Sequence, residues 1–190
     1  MSRRRLIVGI SGASGPHYGV RLLETLRSVP DVETHLIVSR GAGKTIEYEM
    51  DIDPEEVGKL GDVQYQEGDL AAPIASGTFV TEGMVIAPCS ISTLSAVANS
   101  ANQNLIVRAA DVCLKERRRL VLVVRETPLH RGHLRLMEQV TDAGGVILPP
   151  VPAFYHRPES IDDMINQTVV KVLDQFSIHV DLIRRWAGPE

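Results

Sequence analysis

Cysteine is scarce in this chain: 190 residues hold two, Cys89 and Cys113. Neither belongs to a Cys-x-x-Cys pair or a Cys/His cluster, which argues against a disulfide scaffold or a structural zinc site. Both lie in apolar stretches and read as buried free thiols. Aromatic residues make up only 4% of the chain. No apolar run approaches the roughly 20 residues of a membrane span. The run behind the basic start, Arg5–Ile10, is also too short for a signal peptide and stops at glycines. Cytoplasmic location, with no membrane partner, is therefore expected. Positive charge is not in excess, and a net charge of −4 argues against a general nucleic-acid binder. The Gly-x-Gly-x-x-Gly fingerprint, the Walker lysine and the Gly-x-Ser-x-Gly elbow are all missing. NAD, ATP and serine-hydrolase readings are weak on that ground. No metal spacing joins His17, His130 or His133 to a carboxylate pair, so no metal is assigned.

Short apolar runs alternating with helical periodicity are abundant. Strands are expected at Arg5–Ile10, Val32–Val38, Gly83–Pro88, Leu120–Val124 and Gly145–Leu148, because continuous apolar runs suit central strands covered on both faces. Helices are expected at His17–Leu26, Ala42–Met50, Ser90–Ala98, Leu105–Arg117, His130–Ala143 and Glu159–Phe176, with a short one capped by Asp53 and begun by Pro54. On the last long helix the expected apolar stripe is Ile161, Met164, Ile165, Thr168, Val169, Val172 and Leu173. The pattern predicts an α/β fold: one Rossmann-like or flavodoxin-like domain over residues 1–190, with a doubly wound parallel sheet and 177–190 as a short tail. Ligands in such folds sit at the carboxyl ends of strands, so residues just after strands are the candidates.

Four clusters pass that filter. Gly12-Ala13-Ser14-Gly15 follows the first strand and precedes a helix, a setting in which backbone N–H groups cradle a phosphate. The same loop also fits a tight turn holding nothing. Ser90, Ile91, Ser92 and Thr93 follow the third strand, as helix caps or as ligand donors. Arg125 and Glu126 follow the fourth. The arginine suits a phosphate and the carboxyl a proton donor, or the two form an ion pair closing the sheet edge. Tyr155 sits in the proline-bounded loop PAFYHRP, where it can meet a phosphate or simply pack.

The stretches GISGASG, SGTFVTEGMVIAPCS, NLIVRAADVCLKERRRLVLVVRETPL and PPVPAFYHRPESIDD closely resemble the UbiX flavin prenyltransferases over about residues 5 to 176. The resemblance implies a flavodoxin-like Rossmann fold, a dodecamer, and transfer of a dimethylallyl group from dimethylallyl phosphate to N5 and C6 of reduced FMN without metal. The product, prenylated FMN, would pass to a UbiD-type decarboxylase. By the same resemblance Gly12, Ala13, Ser14, Ser39, Ser90, Ile91, Ser92, Thr93 and Arg125 would hold FMN. Tyr155, Lys171, Arg108 and Trp186 would meet the prenyl donor, with Lys115 near its phosphate. Glu126 would protonate the departing phosphate, and Ser14 with Glu49 would remove the N5 proton. Lys171 stands where arginine is common in the family, so a point charge replaces a fork. Two competing functions are an FMN carrier subunit of an aromatic-acid decarboxylase and a flavin-dependent cysteine decarboxylase of the same fold. The segments PCSISTLS and RETPLHRGHL lack the marks of the latter.

Overall fold

The computed structural model describes residues 3–186 and 188. The first two residues of the expected domain, and residues 187, 189 and 190 of the expected tail, lie outside the described residues. Six strands form one sheet: β1 (Arg4–Ile10), β2 (Val32–Val38), β3 (Val63–Tyr65), β4 (Gly83–Cys89), β5 (Arg119–Val124) and β6 (Val146–Ile147). Their order is β3-β2-β1-β4-β5-β6, and every neighbouring pair is parallel. This is the Rossmann order. Without the three-residue edge strand β3 it becomes the flavodoxin order, so both descriptions in the expectation apply.

Among the described residues seven α-helices flank the sheet: α1 (His17–Leu26), α2 (Arg40–Met50), α3 (Pro54–Gly58), α4 (Ile91–Ala98), α5 (Leu105–Lys115), α6 (Arg131–Asp142) and α7 (Ile161–Asp174). The strands alternate between two cores, up to a register shift between Ile86 and Cys89 at the end of β4. Leu6, Val8, Ile10, Val85, Val121 and Val123 face α1 and α7. Ile7, Ile37, Met84, Ile86, Leu120 and Leu122 face α4, α5 and α6. Burial on both faces explains why these strands appear in the sequence as unbroken apolar runs.

Expected and observed elements differ mainly at their ends. α2 starts at Arg40 rather than Ala42, and Ser90 caps α4 rather than lying inside it: the Ser39 and Ser90 hydroxyls each accept a backbone N–H, from Ala42 at 3.0 Å and from Thr93 at 3.2 Å. α5 stops at Lys115, because Arg117 takes a left-handed conformation (φ 58°). Ile161 is 77% exposed at the first turn of α7, so the apolar stripe begins at Ile165. Strand β3 was not expected; three residues carry too little alternation to read. It is pinned from outside its own sequence, by Asp62 accepting from Thr34 N at 2.8 Å and by Tyr65 Oη against His35 Nδ1 at 2.9 Å. The doubly wound arrangement places the starts of α1, α2 and α4 at one edge of the sheet. The order reverses between β1 and β4, the place where folds of this kind hold their ligands.

Candidate active site

The first wall is the loop between β1 and α1. Gly15 holds φ at 86°, a left-handed conformation that favours glycine. A Cβ on Gly12 would lie 3.1 Å from the Gly41 backbone, so the loop meets the start of α2 only because residue 12 has no side chain. Glu49, from the last turn of α2, accepts the Gly15 N–H at 2.8 Å and lies beside Ser14. The N–H groups of Gly12 and Ser14 carry no hydrogen bond among the described residues. Ser39, at the end of β2, is buried between this loop and α2.

The second wall follows β4. Ser11 joins it to the first: its buried hydroxyl donates to Pro88 O at 2.9 Å and accepts from Ser90 N at 2.8 Å. Ser90 Oγ also donates to Thr93 Oγ1 at 3.0 Å. The N–H groups of Ile91 and Ser92 open α4 and have no partner within the helix. Three strand ends are thus locked into one cradle whose remaining donors are backbone N–H groups at helix starts. That donor set suits an anionic group and fits a flavin phosphate.

Arg125 and Glu126 follow β5 on the same edge. The Arg125 N–H bonds Cys89 O at 3.0 Å, and one Glu126 oxygen accepts Thr127 N–H at 3.1 Å. Both side chains are exposed, and no ion pair joins them among the described residues. Sheet-edge closure by an Arg–Glu pair is therefore not what this corner does.

Two further groups stand apart. Tyr155 and Trp186 meet edge to face with ring centroids 6.0 Å apart, and Lys171 is exposed on the last turn of α7. Arg108 and Lys115 lie two turns apart on α5 against the loop after a 3-10 turn at Pro73–Ala75. Arg108 Nε donates to Ala75 O at 3.1 Å, and Lys115 pairs with Glu116 beside Gly77. Lys115 sits just before the start of β5, so one strand length, about 20 Å, separates it from the crevice of its own chain. The structure brings the FMN-contact candidates, Glu49 and Glu126 to one edge, pairs Tyr155 with Trp186, and leaves Lys115 at the other edge.

Sequence reasoning missed Ser11 and Glu67. Glu67 accepts from Arg40 N at 2.9 Å and Asn104 Nδ2 at 3.2 Å, tying the starts of α2 and α5 together. A polar residue wedged between a strand and a glycine was the available signal for Ser11. Glu67 left none, because its partners are distant in sequence. Burial pushes the Cys89 thiol far above its ordinary range and Cys113 up to about 12, so both remain neutral thiols. Among the described residues no three His, Cys, Asp or Glu side chains come close enough to hold a metal.

A doubly wound sheet with a glycine cradle at its switch point, lined by helix starts, defines a flavoprotein-type nucleotide-binding domain. The family model described as Flavoprotein matches residues 1–174. The chain is 62% identical to flavin prenyltransferase UbiX of Escherichia coli K12 over 187 residues, 97% of this chain and 99% of that one. The crystal structure of AnUbiX (PadA1) in complex with FMN and dimethylallyl pyrophosphate superposes with a TM-score of 0.97 at 49% identity, covering 99% of this chain and 100% of that one. A dodecameric FMN-dependent UbiX-like decarboxylase from Escherichia coli O157:H7 follows at 0.95 and 46%, covering 97% and 100%. The chain belongs to the UbiX family of flavin prenyltransferases.

Proposed function

We propose that this chain transfers a dimethylallyl group from dimethylallyl phosphate to N5 and C6 of reduced FMN, giving the prenylated FMN that a UbiD-type decarboxylase uses. The observation that carries this reading is the cradle itself: Ser11 locks the ends of β1 and β4 together while the N–H groups of Gly12 and Ser14 stay open. Those donors, with Ala13, Ser39 and the run Ser90–Thr93, suit a flavin phosphate and the polar edge of its ring. Reduced FMN supplies the nucleophilic nitrogen.

Allylic C–O cleavage sends its electron pair out with the phosphate, and the N5 lone pair makes the new C–N bond; the C6 bond would follow as the C=C of the transferred group takes up a proton, C6 attacks its tertiary carbon, and C6 gives up its own hydrogen as a proton. Glu126 is placed on the crevice edge with one oxygen held by Thr127 N–H, and it gives the departing phosphate a proton. Arg125, Tyr155 and Lys171 hold the released negative charge. Glu49 keeps one oxygen on the Gly15 N–H, and Ser14 passes the N5 proton to the other. The indole of Trp186 presents a π face that steadies positive charge on the allylic carbon. Lys115, at the opposite edge, reaches a donor phosphate only in the crevice of another copy, which calls for a closed homo-oligomer. A dodecamer is the form proposed.

Phosphate release tests the reading. Dimethylallyl phosphate mixed with the protein should yield free phosphate, one per flavin, only when reduced FMN is present. FMN bound with no phosphate released would leave the carrier function instead.

A further inference from the structure

Residues 179–186 form no helix or strand, and among the described residues no backbone hydrogen bond fixes 179–183 to the core. Phe176 and Ile178 are buried and anchor the start of the tail. Its far end is held differently. Arg185 grips Asp174 with both arms, NH1 to Oδ2 and NH2 to Oδ1, each at 2.8 Å. His179 Nδ1 adds a contact to Oδ1 at 3.4 Å. Exposed ion pairs of this kind add little to stability. A two-pronged pair does fix direction, however, because a planar guanidinium meets a carboxylate in one orientation.

Two neighbours give that direction a use. The next residue is Trp186, seated edge to face on Tyr155 although 64% exposed. Lys171 precedes Asp174 by three residues on α7, so the two side chains are surface neighbours. An unoccupied Asp174 would pair with Lys171 and cancel the charge needed for a phosphate. Lys171 instead forms no ion pair among the described residues, while both Asp174 oxygens are taken by Arg185. The Arg185 fork holds the Asp174 carboxyl below the usual carboxylate range, which keeps it charged and engaged.

We propose that the Asp174–Arg185 fork is the positioning element of the prenyl-donor subsite: it seats Trp186 against Tyr155 and keeps Asp174 from neutralising Lys171. The inference rests on the reading that Tyr155 and Lys171 meet the donor phosphate. Asp174 and Arg185 act through these residues and touch no substrate themselves.

The test uses the oxidised FMN complex, whose N5 has no hydrogen to give up, so that donor binding is measured without turnover. Calorimetry with dimethylallyl phosphate should show Arg185→Ala binding about tenfold more weakly than wild type, with FMN affinity unchanged. Asp174→Asn combined with Arg185→Ala removes the competing carboxylate and should bind the donor more tightly than Arg185→Ala alone. A merely structural pair predicts the reverse order. Trp186 is the sole tryptophan, so acrylamide quenching of its emission should rise in both variants. Unchanged donor binding or unchanged quenching in Arg185→Ala, or a double variant that binds no better than the single one, overturns the proposal. Wild-type complex that binds no donor contradicts the donor reading beneath it.

Discussion

Single side chains decide the chemistry of the crevice. Ser11 spans the two strand ends with one hydroxyl; its bond to Pro88 O is buried and the one from Ser90 N half-buried. Ser11→Ala leaves the Ser90 N–H without its partner and should cost about 1–3 kcal/mol, measured by chemical denaturation, together with weaker FMN binding. A loss of FMN affinity with no change in stability would mean that Ser11 meets the ligand rather than the loops. Among the described residues the Glu126 side chain makes one hydrogen bond, to its neighbour's N–H, so its removal should not disturb the cradle. Glu126→Gln should keep FMN affinity and slow prenyl transfer by roughly 10²-fold or more, as measured by phosphate release. If FMN no longer binds, the residue is part of the cradle instead. Glycine and serine positions of the cradle could be read from sequence because they follow apolar runs directly. Glu67 could not, because its partners Arg40 and Asn104 converge only through tertiary structure.

Among the elements, α7 shows how a terminus is set by its cap. The Asp163 carboxylate accepts the N–H groups of Glu159 and Ser160, each at 2.9 Å, while the Ser160 hydroxyl accepts the Asp163 N–H at 3.1 Å. The Glu159 N–H first, then Ser160, hold the Asp163 carboxyl below its usual value of 3.8. The unfolded chain therefore takes up the proton first. Stability from this box is complete above about pH 4 and is lost as pH falls through the lower folded value. Melting temperature followed from pH 5 to pH 3 should drop less steeply in Asp163→Asn than in wild type. Identical slopes would contradict the role of the cap. Elements with long periodic runs, such as β1, β5 and α1, were legible in the sequence because burial on a fixed face imposes the period. The two-residue β6 fell inside the expected Gly145–Leu148 run, whereas the three-residue β3 was not legible, since it is held by partners across the sheet. Ile161 misled the reading of α7: its spacing fits the stripe, but the first turn projects beyond the core.

Across the whole molecule, the sheet sorts its ends by task. Helix starts and glycine loops crowd the carboxyl edge, while Lys115 and the Arg117–Arg119 run lie at the other. One chain cannot bring both sets to one ligand, so the account requires assembly. Purified protein should sediment as a dodecamer. Lys115→Ala and Glu126→Gln should each be weak alone, yet regain turnover once their subunits are exchanged in mixed assemblies. Failure to regain it would place Lys115 in the site of its own chain or outside catalysis. Assembly was not legible in the sequence itself, because an apolar strand suits a core as well as an interface.

The central claim is that Gly12-Ala13-Ser14-Gly15 holds a flavin that is chemically changed rather than merely carried. Mass spectrometry of flavin extracted after anaerobic incubation with reduced FMN and dimethylallyl phosphate tests it directly. The account predicts a flavin heavier by one five-carbon unit. Unmodified FMN recovered from a complex that had bound both ligands would contradict it.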